Sequence, residues 1–71
     1  MIINYDSNPK NSVFYTASCL YSFITNQSND FDAAYNYFVT NVNKNQSLFY
    51  YSLDYLFLLN KINKIEEGRI I

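Results

Sequence analysis

The sequence predicts a mainly α fold in which three short helices are followed by a C-terminal β-hairpin. Three observations carry this reading. Apolar residues recur at helical spacing in three separate stretches. Asn60 stands at the end of the third stretch, where a helix commonly turns left-handed to stop. Gly68, the only glycine in 71 residues, falls in a polar turn between two β-prone runs.

The elements follow in order. Ile2, Ile3 and Tyr5 make the segment before Asp6 β-prone, and Ser7 to Lys10 reads as a turn around Pro9, the only proline. The first helix is expected from about Ser12 to Thr25, capped by Asn11 or Ser12. Val13, Ala17, Leu20, Tyr21 and Ile24 form its apolar face. Asn26-Gln27-Ser28 ends it. The second helix is expected from about Asp30 to Asn43, with Ser28 or Asn29 as the cap. Asp30 and Asp32 then lie in the first turn, where carboxylates suit the positive end of the helix dipole. Its apolar face is Phe31, Ala34, Tyr35, Phe38 and Val42, and Asn43-Lys44-Asn45-Gln46 is a polar connector.

The third helix is expected from about Leu48 to Leu59, capped by Ser47. Phe49, Ser52, Leu53, Leu56 and Asn60 share one side. After Asn60 the period changes. Ile62 to Ile65 is β-prone, Glu66-Glu67-Gly68 turns, and Arg69-Ile70-Ile71 returns. Gly68 suits a three-residue hairpin loop that needs a positive φ. Three helices closed by a hairpin is the layout of a small winged-helix-like domain, here covering residues 1–71. The competing layout is a plain three-helix bundle with an unpaired tail. Asn60 and Gly68, each well placed for a stop and a turn, favour the hairpin.

Size and composition narrow the function classes. One small domain buries about 60% of the surface its unfolded chain exposes, so its stability margin is thin. Such domains often lean on disulfides, a metal or a partner. Cys19 is the only cysteine and histidine is absent, so neither an internal disulfide nor a zinc site is expected. No cofactor is expected either. Apolar residues make up 49% of the chain and aromatics 20%, which excludes disorder. Charged residues are only 15%, and the net charge is −1. That composition suits a subunit that works inside an assembly better than a free monomer. No apolar run approaches the length of a membrane span, and no basic-then-apolar leader is visible. The expected location is cytoplasmic.

Catalysis is not expected. There is no histidine for acid–base work near neutral pH and no glycine-rich loop for phosphate. Cys19, between Ser18 and Leu20, reads as a buried packing residue. Asp30 and Asp32 read as helix-dipole partners, and Glu66-Glu67 as a solvated turn.

Nucleic-acid binding is the obvious use of a winged helix, whose third helix enters the major groove. Here Leu48 to Asn60 holds no Lys or Arg, and its one charge is Asp54. Lys61, Lys64 and Arg69 are the candidate contacts to a nucleic-acid backbone, offset by Glu66 and Glu67. That footprint allows weak DNA binding at most. The third helix carries a stronger signal. Tyr51, Tyr55 and Leu58 form a second apolar row at i, i+4 and i+7, flanked by Tyr50. A helix apolar on all sides needs cover on all sides, and a domain this small cannot supply it. Tyr50, Tyr51, Tyr55 and Leu58 are therefore the candidate protein interface, tyrosine being a favoured interface residue. The plainer alternative has the hydroxyls facing water.

The run from Ser52 through Asp54, Tyr55, Leu56, Phe57, Leu58, Leu59, Asn60 and Lys61 to Ile62 resembles the end of small winged-helix proteins. Those proteins carry Ala-Leu-Asp, an aromatic, Leu, an aromatic, then Leu-Leu-Gly-Lys-Ile before a wing. Asn8-Pro9 followed by Ser12-Val13-Phe14-Tyr15 is similar to the start of such proteins. Most of the chain resembles the middle components of ABC-three-component systems. The resemblance is sharpest from Ser52 to Ile62, and the chain departs from it in Asn60 for Gly and in its extra tyrosines. It implies a non-catalytic accessory subunit of a bacterial antiphage (antiviral defence) operon. The implied partner is a coiled-coil, SMC-like or ABC-type ATPase, or an effector subunit beside it. It implies no catalytic residue. Two readings from other classes stand beside it: a small winged-helix DNA-binding regulator, and a homo-oligomer with a structural role.

Overall fold

The computed structural model describes residues 12–71. The β-prone Ile2, Ile3 and Tyr5 and the turn at Pro9 lie outside the described residues. Helix α1 spans Val13–Asn26. Ser12 caps it, its hydroxyl accepting from the Tyr15 N–H at 3.1 Å. The helix closes where Gln27 and Ser28 both donate to the Phe23 carbonyl. Of the expected face, Ala17 and Leu20 are buried, while Val13, Tyr21 and Ile24 pack against the core from its margin.

Helix α2 spans Phe31–Tyr37. Its cap is Asp30, not Ser28 or Asn29: the Asp30 carboxylate accepts from the Ala33 N–H at 3.0 Å. Asp30 is thus a specific ligand for a free helix N–H rather than a first-turn dipole partner, and Asp32 alone fills that role. The helix ends one residue before the expected Asn43, its last turn being π-helical, Phe38–Val42, closed by Asn43 donating to the Phe38 carbonyl at 2.9 Å. Val39, Thr40 and Val42 are β-branched and crowd the preceding turn of an α-helix. A wider ring accommodates them while Val39 and Val42 still reach the core.

Helix α3 spans Gln46–Leu58. It starts two residues earlier than expected, because Asn45 and not Ser47 is the cap. The Asn45 side chain accepts from the Ser47 N–H at 2.9 Å, and Ser47 is exposed within the first turn. At the other end Asn60 adopts φ 60°. Its N–H donates to the Phe57 carbonyl at 3.0 Å, and the Lys61 N–H to the Leu56 carbonyl at 2.9 Å. This crossed pair is the left-handed helix stop that Asn60 promised. Phe49, Ser52, Leu53 and Leu56 are buried together, whereas Asn60 is exposed and does not join them.

The hairpin is shorter and tighter than expected. Strand β1 is Ile65–Glu66 and strand β2 is Arg69–Ile70. They pair antiparallel, Ile65 opposite Ile70 and Glu66 opposite Arg69. Glu66 therefore belongs to the ladder, and the loop is the two residues Glu67 and Gly68, with φ 53° and 75°. Two successive positive φ values define the loop whose twist matches paired strands. Two-residue strands are not stable alone. Here the connection between α1 and α2 lies on the far side of β2. The Ile70 N–H donates to the Asn29 carbonyl at 2.8 Å and the Phe31 N–H to the Gly68 carbonyl at 2.7 Å, with Asp30 bridged to Arg69.

The core is built around Phe49. Its ring meets those of Phe31, Tyr35 and Phe38 edge-on, with centroids 5.6, 5.1 and 5.4 Å away, a favoured aromatic geometry. Leu48, Leu53 and Leu56 of α3, Ala17 and Leu20 of α1, and Ala34 of α2 complete it, with Ile62 and Ile70 closing it from the hairpin end. One polar pair is buried inside. Thr16 and Ser52 touch oxygen to oxygen at 2.8 Å, and the Ser52 hydroxyl also reaches the Leu48 carbonyl at 2.7 Å. A hydroxyl has one proton. The Thr16 hydroxyl is likewise within reach of the Ser12 and Val13 carbonyls, at 3.1 and 3.2 Å, so either hydroxyl can donate across the contact while the other turns to its own backbone. No buried side-chain nitrogen or oxygen lacks a partner among the described residues.

Candidate docking face on the third helix

The core takes one side of α3 and leaves the other in solvent. That outer side is not polar. Tyr50 is 50% exposed, Tyr51 59% and Leu58 81%. Tyr55, the fourth expected interface residue, is half-buried instead. It packs against the core margin and edge-on against Phe14 of α1, centroids 6.5 Å apart. Phe14 is itself 68% exposed. The face thus runs from α3 onto α1, with Tyr55 as its seam.

Two of its members escaped the sequence reading. Phe14 falls outside the Val13–Ala17–Leu20 stripe, and an aromatic out of period was the available signal. Asp54 stands out in the sequence only as a charge unsuited to phosphate. It is exposed, one turn after Tyr50 and Tyr51 and one turn before Leu58, with no ion-pair partner among the described residues.

The three candidate backbone-contacting cations each have a partner within the chain. The Lys61 ammonium lies over the Tyr21 ring, 5.8 Å from its centre. Lys64 pairs with Glu66 at 3.1 Å. The Arg69 guanidinium donates to the Asn29 side-chain oxygen at 3.0 Å. The Lys64–Glu66 pair is solvent-exposed and contributes little to stability.

Cys19 is half-buried rather than buried. Its place one turn after Tyr15 lets the two side chains meet, and a hydrogen bond to the Cys19 sulfur holds the Tyr15 phenol above its usual range. A shallow hollow of about 410 Å³ is lined by Ser22, Phe23, Asn26, Gln27 and Tyr37, with the Phe23 and Tyr37 rings stacked at 4.4 Å. Its lining brings no acid or base together. No grouping of three possible metal ligands occurs among the described residues. No described helix is long and apolar enough to cross a membrane.

Residues 3–71 match the family of ABC-three component (ABC-3C) system Middle Component 6. The chain belongs to this family. No curated protein and no solved structure matches it. Family membership bears out the kinship with middle components drawn from Ser52–Ile62, and makes the chain one component of a multi-protein system. This Middle Component 6 chain leaves Tyr50, Tyr51 and Leu58 of α3 exposed.

Proposed function

We propose that the chain is a non-catalytic accessory subunit of a cytoplasmic antiviral assembly. It docks through the outer face of α3 onto an SMC-like or ABC-type ATPase of the same system, or onto the effector that the ATPase controls. The observation that carries this reading is the exposure of Tyr50, Tyr51, Leu58 and Phe14 on one continuous side. Large apolar side chains left uncovered side by side mark interaction sites, and family membership makes the chain one component of a multi-protein system. The fold is read as a winged helix adapted to scaffolding. The pairing of β2 with the α1–α2 connection supports that reading.

The test is to express the chain with the other two components of its own system and purify the assembly. Tyr51→Ala should weaken co-purification while the isolated chain stays folded. Full recovery of the assembly with both Tyr51→Ala and Leu58→Ser would sink the proposal. The winged arrangement also favours a second reading, a DNA-binding regulator. Against it stand the cation-free α3 and the intramolecular partners of Lys61, Lys64 and Arg69. Tight binding to one duplex at physiological salt would reverse the order of the two.

A further inference from the structure

We infer that the face on α3 receives an amphipathic helix of a protein partner, and that this helix carries one lysine or arginine set against Asp54. The inference rests on the docking role proposed above and names what docks. Residues four apart on a helix form ridges, and helices associate by laying the ridge of one into the groove of another. On α3 the residues Tyr50, Asp54 and Leu58 form one such ridge, and Tyr51 and Tyr55 begin the next. Both ridges face away from the core apart from the half-buried Tyr55. The groove between them runs for about two turns, roughly 12 Å at 1.5 Å per residue, the footprint of a short helical segment.

Charge selects the occupant. Asp54 stands midway along an otherwise apolar ridge and is the only charge in α3. Covering it with an uncharged surface strips water from a carboxylate and gives nothing back. A cation in the partner returns that interaction and fixes the register of the two helices. A second copy of this chain meets the opposite condition. A two-fold contact about the middle of the ridge sets Asp54 against its own counterpart, which is repulsive. An anionic lipid surface and a nucleic acid are disfavoured by the same sign.

The experiment uses the full chain and the component of its own system with which it co-purifies. Binding is measured for wild type, Asp54→Asn, Asp54→Lys and Tyr51→Ala across a range of NaCl concentrations. Asp54→Asn should weaken binding about tenfold and flatten its salt dependence, and Asp54→Lys should weaken it by about a hundredfold or more. Each should melt as wild type does when alone. If both Asp54 variants bind like wild type while Tyr51→Ala does not, the face docks without a cation and the inference is overturned, though the docking role stands. If wild type binds neither component, the docking role falls and takes the inference with it. A pure chain that self-associates through this face, or a clear melting shift in Asp54→Lys alone, places Asp54 in a different contact and also overturns it.

Discussion

The buried Thr16–Ser52 contact makes a prediction that differs from the usual rule for buried polar pairs. Removing one partner of such a pair ordinarily strands the other and costs the full desolvation of the stranded group. Here each hydroxyl has somewhere else to go. Without Ser52, the Thr16 proton falls back on the Ser12 or Val13 carbonyl, already 3.1 and 3.2 Å away. Without the Thr16 hydroxyl, Ser52 still donates to Leu48 at 2.7 Å. Thr16→Val and Ser52→Ala should therefore each cost about 0.5–1.5 kcal/mol, the net value of one hydrogen bond. Better helix propensity offsets part of the cost of Ser52→Ala. In a domain this size that is a drop of about 4–8 °C in Tm per kcal/mol. The double variant should cost less than the sum of the two by about 0.5–1 kcal/mol, because only one contact is shared. Urea unfolding of the four proteins gives the cycle. A single variant costing more than about 3 kcal/mol would show that no fallback exists. Strict additivity would show that the two hydroxyls do not interact.

Other outcomes are expected. Leu53→Ala and Leu56→Ala, both within the Phe49 core, should each cost about 2–5 kcal/mol through the cavity they leave; Tyr51→Ala, more than half exposed, should move the melting temperature of the isolated chain only slightly. Gly68 has open space for a side chain but φ 75°, so Gly68→Val should strain the loop by about 1–2 kcal/mol while leaving helical circular dichroism intact. Glu67 adopts φ 53° where this loop prefers Asn, so Glu67→Asn should raise Tm; a fall would refute the loop assignment. Any binding to duplex DNA should decline with salt at a slope set by about three phosphates or fewer, read by fluorescence anisotropy.

The sequence revealed what local chemistry controls. The three apolar stripes, the Ser12 cap, the left-handed Asn60 and the positive φ of Gly68 are all read within a turn or two of the residue concerned. It misjudged choices among similar neighbours. Asp30 outcompeted Ser28 and Asn29 as a cap, and Asn45 outcompeted Ser47, because capping depends on where packing sets the first turn. The π-helical turn at Phe38–Val42 was missed, since it widens the hydrogen-bonded ring by one residue while Phe38, Val39 and Val42 keep their places against the core. The partner that makes the hairpin possible, the Asn29–Phe31 connection, lies some forty residues away in sequence, out of reach of any local pattern. At the candidate site, three of four expected residues are exposed. Tyr55 is half-covered because Phe14 on another helix leans on it, which is again a long-range fact.

Strand β2 has a ladder on one side and the α1–α2 connection on the other, and this changes what kind of object the hairpin is. A free hairpin opens and closes quickly by itself. This one is fastened twice: the Phe31 amide, at the first residue of α2, donates to the Gly68 carbonyl, and the Ile70 amide donates to the Asn29 carbonyl, while the Phe31 ring rests on Phe49. Peeling the hairpin away exposes Ile70 and Ile62 and loosens the start of α2 in the same event. Its opening is then part of global unfolding rather than a local fluctuation. The Phe31 and Ile70 amides should exchange their protons as slowly as those of the buried helices. A pull on the hairpin would thus reach the aromatic centre directly, without any motion of the loop to absorb it.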